Sequence, residues 1–129
     1  MRFLPGGSKP RRVSGEVGET VACRHLEAGG YFIVKRNFRC RVGEIDIVAR
    51  QGETTVFVEV KERTGTSHGE GHESVVARKR YRIVQAAQLY AAQHGLGESA
   101  VRFDVVSIEW KGGRAVVRHD EGAFDADGR

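Results

Sequence analysis

The stretch from Gly43 to Lys61 constrains this chain most, because it reads as two half-buried strands around the tight turn Gln51-Gly52-Glu53-Thr54. Ile45 and Ile47 fall on one side of the first strand, and Val56, Val58 and Val60 on one side of the second. The other side carries Glu44 and Asp46, then Glu59 and Lys61. With Gly52 and Glu53 as the central pair, glycine at the first central position suits a type II′ turn. Such a loop sets Asp46 opposite Glu59 and Glu44 opposite Lys61, with Cβ atoms roughly 5 Å apart. An odd-length loop would shift the register by one and send Asp46 and Glu59 to opposite faces. Two carboxylates so close repel each other unless a cation lies between them, and hard divalent ions take oxygen ligands.

The remainder fits a single α/β domain. A chain of 129 residues can build a core without staples. Its net charge of +4 leans towards a polyanionic partner, though only modestly. Cys23 and Cys40 are too few for a disulfide framework and lack zinc-ligand spacing, so they read as buried thiols in a reducing compartment. The first fifteen residues hold Arg2, Lys9, Arg11 and Arg12 but no apolar segment, so they do not read as a signal peptide. No run approaches the ~20 apolar residues of a membrane span. The expected location is the cytoplasm, with no membrane partner.

Residues 1–13 read as a flexible basic arm, 14–119 as the folded domain and 120–129 as a polar, frayed tail in which Phe124 can dock. Helical spacing runs from a cap at Ser14 to about Ala28, with Val17, Val21, Ala22 and Leu26 as the apolar stripe and Gly29-Gly30 as the stop. Glu19 projects near that stripe. Tyr31 to Val34 reads as a short strand. The basic run that follows, holding Arg36, Arg39 and Arg41 around Phe38, suits phosphate contacts or a charge-protected edge. Glu62 to His72 reads as a mobile loop, in which His68 and His72 are surface histidines. A second helix spans about Glu73 to His94, with Val76, Ile83, Ala86, Ala87 and Tyr90 on one face and Lys79 on the same stripe. Arg78, Arg80 and Arg82 spread around Lys79 as a basic cluster suited to phosphate contacts. Val101 to Ile108 alternates as a strand with Arg102 and Asp104 on one face, and a last short strand covers Ala115 to Arg118.

Glu19, Asp46, Glu59 and Lys61 are therefore expected to converge where the first helix packs beside the hairpin, with Glu44 as an accessory acid. Such carboxylates suit Mg²⁺ or Mn²⁺ and the hydrolysis of a phosphodiester. Lys61, kept protonated by its acidic neighbours, can orient water and offset developing charge. Phosphate-loop, nucleophile-elbow and zinc-cysteine templates have no counterpart in the sequence.

Gly18-Glu19-x-x-Ala22, Gly30-Tyr31, Arg36-Asn37-Phe38-Arg39, Gly43-Glu44-Ile45-Asp46, Phe57-Val58-Glu59-Val60-Lys61 and Arg102-Phe103-Asp104-Val105-Val106 together resemble the bacterial YraN family. That family is similar to Holliday-junction resolvases, within the PD-(D/E)xK nuclease superfamily. The resemblance covers about Ser14 to Ile108. It implies a restriction-endonuclease-like αβββαβ core with a mixed central sheet flanked by two helices. It also implies a metal-dependent DNA endonuclease with Asp46, Glu59 and Lys61 as motif residues and Glu19 as an extra acid. Asp46, Glu59 and Glu19 would then be the metal ligands. Arg36, Arg39, Arg41, Lys79 and Arg80 would contact nucleic acid, most naturally DNA, and a homodimer would cut two strands. Ile45, where many superfamily members have proline, is usual for the resolvase-like branch. Glu62 departs from the family's smaller or neutral residue and would add negative charge near the site. The alternative is a nucleic-acid-binding module that keeps the fold without turnover.

Overall fold

A computed structural model of the chain describes the backbone of residues 10–64 and 73–129, and the side chains of 15–63 and 76–129. The elements are α1 (Pro10–Ala28), β1 (Phe32–Cys40), β2 (Gly43–Gln51), β3 (Thr54–Thr64), α2 (Glu73–Gln93), β4 (Val101–Lys111) and β5 (Arg114–Phe124). The strands form one sheet in the order β1-β2-β3-β4-β5, parallel between β3 and β4 and antiparallel elsewhere. It is the expected α/β architecture with a mixed sheet. His68, His72 and the expected arm up to residue 9 lie outside the described residues.

Helix α1 starts at Pro10 rather than at Ser14, because proline at a first helical position gives up an N–H that has no partner there anyway. It ends where Tyr31 N–H donates back to the Leu26 carbonyl, with Gly30 at φ +91°. The two helices cover opposite faces of the sheet. On one face Ala22, Cys23 and Leu26 of α1 pack on Ile47, Ala49, Val56, Val58, Val106 and Ile108. On the other, Ile83, Val84, Ala87 and Tyr90 of α2 pack on Phe38, Ile45, Val48, Phe57 and Phe103. Both cysteines are free, with Cys23 buried in the α1-side core.

The β2–β3 hairpin has the expected two-residue loop. Pairs run from Gln51↔Thr54 to Ile47↔Val58, and Gly52 alone in the loop takes positive φ, at +63°. Alternation in β2, however, fails at Asp46. Ile47 faces α1 whereas Ile45 faces α2, so the expectation that they share a side is wrong. The cause lies across the sheet. Between the pairs Arg36↔Ile47 and Phe38↔Ile45, Asn37 adopts the left-handed conformation at φ 57°, and both strands turn over at this level. Asparagine tolerates that region better than most residues.

The last strand is longer than expected and no frayed tail begins at Asp120. Phe124 pairs with Phe103, is buried, and stacks on its ring at 5.0 Å between centroids. The ladder is irregular between the Phe103 and Val105 pairs, where Gly122 at φ +60° aims its N–H at Asp104 Oδ1, 3.0 Å away. Asp104 is fully buried and anchors a polar network on the α1 face. Arg102 grips both of its oxygens through Nε (2.8 Å) and Nη2 (2.9 Å), and His119 Nε2 approaches at 2.8 Å. Burial would raise the Asp104 pKa, but these donors outweigh it and hold it below the usual carboxylate range. A carboxylate only accepts, so His119 donates from Nε2 and its Nδ1 accepts from His25 Nε2, 3.3 Å away. Arg102 also donates to Tyr31 Oη (2.7 Å) and to Gln51 Oε1 (2.8 Å).

Removing one partner from such a network leaves a buried charge uncompensated. Asp104→Ala is expected to lower stability by about 3–5 kcal/mol, read as a shift of the urea midpoint at unchanged slope. A change under about 1 kcal/mol would show that the network is not a structural anchor.

Candidate functional site

The sheet opens where β2 turns over. The β2–β3 ladder stops at Ile47↔Val58, and one step further the Val60 N–H donates to the Asp46 carboxylate, 2.8 Å from Oδ2. Asp46 therefore replaces a ladder acceptor instead of lying strictly opposite Glu59. Glu59 shares with Phe57 the face under α2, since residues two apart on a strand point the same way. It is 3% exposed. Lys79 reaches down from α2 and places Nζ 2.7 Å from Glu59 Oε2. The contact is a close ion pair at hydrogen-bond distance, and among the described residues Oε2 has no other donor. The cation demanded by the acidic pair is thus supplied by the protein.

Electrostatics follow from burial. Desolvation pushes the Asp46 pKa up to about 6, with Glu19 and Glu44 adding to the rise and the Val60 amide and Lys79 opposing it. Burial alone would pull Lys79 down, but Glu59, Asp46 and Glu44 outweigh it and hold its pKa above the ordinary value. Asp46 also lines an open groove of about 700 Å³, together with Arg39, Arg41, Glu44, Lys79 and Arg82. Gly43 lies at the lip of this groove and touches α2. A Cβ there would meet the Arg82 carbonyl oxygen at 2.8 Å.

The expected four-way convergence is only partly what forms. Glu19 is held on the α1 side, where it accepts from Asn37 Nδ2 at 3.0 Å and lies 3.5 Å from Arg36. Arg36 also donates to Thr20 Oγ1 at 3.3 Å, so it ties β1 to α1 and lines no part of the groove. Lys61, half-buried, has no ion-pair partner among the described residues. Arg80 is turned away, its guanidinium lying 4.8 Å from the Phe124 ring centroid. Arg39 and Arg41 do line the groove, and Arg39 lies 3.9 Å from Glu44 in a loose, exposed pair. Glu62 is directed to the other face, against Gly18, and accepts from Trp110 Nε1 at 2.6 Å. Its charge is therefore not added to the groove. Arg82, from the basic cluster expected to offer phosphate contacts, also lines the groove. Its three-residue spacing from Lys79 puts both on one helix face.

Among the described residues no three His, Cys, Asp or Glu side chains gather closely enough to hold one ion. Asp46 and Glu59, which both face Lys79, are the two carboxylates left to share an ion. Two hard oxygen donors, one with a buried oxygen that only Lys79 approaches among the described residues, suit Mg²⁺ or Mn²⁺, which commonly take one or two carboxylates and complete the shell with water and phosphate.

A raised carboxyl pKa means that the folded state binds more protons than the unfolded chain between pH 4 and 6. Asp46 therefore favours folding at low pH, and that contribution is lost as pH rises through about 6. Asn at this position keeps an oxygen for the Val60 N–H. In chelated buffer, Asp46→Asn is expected to be about 1–3 kcal/mol more stable than the unsubstituted protein at pH 8, with the gain disappearing below pH 4. Urea unfolding across that range checks it. A pH-independent difference would contradict the burial argument.

Residues 18–108, which hold the hairpin, α2 and most of β4, match the family model described as Uncharacterised protein family UPF0102. A UPF0102 protein of Parafrankia sp. (strain EAN1pec) is 50% identical over 111 residues, covering 85% of this chain and 94% of that protein. One of Syntrophotalea carbinolica is 46% identical over 114 residues, covering 88% and 93% respectively. One of Anaeromyxobacter dehalogenans is 44% identical over 124 residues, covering 96% and 92%. The resemblance noted from the motifs thus extends over nearly the whole length of these proteins, and the chain belongs to the UPF0102 (YraN) family.

Proposed function

We propose that this chain is a Mg²⁺- or Mn²⁺-dependent endonuclease that hydrolyses DNA phosphodiester bonds, with branched or distorted DNA such as Holliday junctions as substrate. The observation that carries this reading is the half-buried Asp46 and the buried Glu59, both facing Lys79, beside a groove lined by Arg39, Arg41, Arg82 and Lys79. A bound divalent ion would polarise a phosphoryl oxygen and lower the pKa of water. Asp46 and Glu59 would hold it. Arg39, Arg41 and Arg82 would grip the backbone on either side of the scissile phosphate, fixing position without reading sequence. Lys61, two residues beyond Glu59 on the same strand, would orient water and offset charge gathering on the phosphoryl oxygens. Glu19, held on the α1 side, would act on Asp46 through its charge. Paired cuts across a junction require two such sites, which makes a homodimer the matching assembly.

A second reading has its own observation. Glu59 is closed by Lys79 and Glu19 is engaged by Asn37, an arrangement that also suits a nucleic-acid-binding module without turnover.

Supercoiled plasmid, single strands and a four-way junction, each incubated with the protein in Mg²⁺ or Mn²⁺, separate the two. Metal-dependent cleavage is expected, falling by roughly 10²-fold or more in Asp46→Ala and Glu59→Gln. Equal product from the variants would sink the assignment. Salt-dependent DNA retention without cleavage, unchanged in Asp46→Ala, would establish the binding module instead.

A further inference from the structure

The ion pair between Lys79 and Glu59 is asymmetric. Glu59 is fixed on a central strand and 3% exposed, whereas the Lys79 side chain is 57% exposed on a helix at the groove. A lysine carries its charge on a flexible four-carbon stem with three freely turning donors, so it can leave a partner without moving the backbone. The contact is close, and among the described residues Glu59 Oε2 has no other donor. One partner is built in; the other is merely placed there.

Charge counting gives this asymmetry a direction. Asp46 and Glu59 carry two negative charges when ionised, and Lys79 supplies one positive charge, leaving one negative charge uncancelled at a partly buried place. A divalent cation would cancel both carboxylates. Lys79 would then be surplus beside them, while its helix neighbour Arg82 and Arg39 and Arg41 of the opposite wall already favour an anion in the groove.

We propose that Lys79 is a displaceable counter-ion: it fills the carboxylate pair in the metal-free protein, is expelled by a divalent cation, and then turns into the groove to meet a substrate phosphate. Metal loading and phosphate binding are thereby coupled through one side chain, and by reciprocity a phosphate in the groove tightens the metal by the same factor. The inference rests on the nuclease reading only for the premise that Asp46 and Glu59 take a divalent ion.

Mn²⁺ titration calorimetry on the full chain tests it without any cleavage. Lys79→Met is expected to bind Mn²⁺ about tenfold more tightly than the unsubstituted protein. Arg82→Met, which removes a positive charge from the same helix face without touching Glu59, should change affinity by less than about threefold. Differential acetylation of the unsubstituted protein, read by mass spectrometry, should show Lys79 becoming several-fold more reactive when Mn²⁺ is added. Equal or weaker binding by Lys79→Met would overturn the proposal and leave the metal site standing. An Arg82→Met effect as large as that of Lys79→Met, or unchanged Lys79 reactivity on Mn²⁺ binding, would overturn it likewise. No Mn²⁺ binding by any of the three proteins would remove the metal site itself and the proposal with it.

Discussion

The sheet is held in register on its α1 face by one carboxylate that never meets water. Asp104 collects donors from its own strand, from His119 and from the Gly122 backbone, while Arg102 extends the network to Tyr31 and Gln51. Four segments of chain are thereby tied at one point: the α1–β1 turn, the end of β2, and strands β4 and β5. In a low-dielectric interior such a network is stable only when every member is satisfied, which makes it intolerant of slippage. Strand β3 is parallel to β4, so the position of Glu59 is inherited from this anchor through the pair Val58↔Asp104.

The opposite face spends that regularity. At Asp46 the sheet gives up a ladder bond, turns two strands over and partly buries a carboxylate that would be more comfortable in water. Backbone distortion at Asn37 and a raised carboxyl pKa at Asp46 occur at one level of one sheet. Strain and disfavoured charge gathered in this way are a feature of sites where chemistry or binding outweighs stability.

Much of this could be read from residue order. Turn chemistry at Gly52-Glu53 fixed the hairpin register, and the element order gave the αβββαβ scheme. Periodicity placed both helices against the sheet. The local reversal at Asn37 could not be read, because a single left-handed residue overrides alternation without altering composition. Nor could the partner of Glu19, which depends on where that reversal sends the Asn37 amide. Arg102 and Asp104 were legible as neighbours two apart on one face. Their meeting with His119 and His25 needs the final strand, whose charged sequence masks its length. Lys79 was visible as a cation on an apolar stripe, but its choice of Glu59 is a fact of tertiary packing.

Gly43 has a consequence for how this sequence can vary. Its α-carbon sits against the Arg82 carbonyl, so any other residue must push the tip of the β1–β2 hairpin away from the helix. That tip forms one wall of the groove, and the helix carries both Arg82 and Lys79. A single methyl group at this position therefore acts at a distance. It widens the gap between an acidic strand and a basic helix without changing one charged residue. The tolerance of the site to mutation is governed as much by a hydrogen atom on a turn as by the carboxylates themselves.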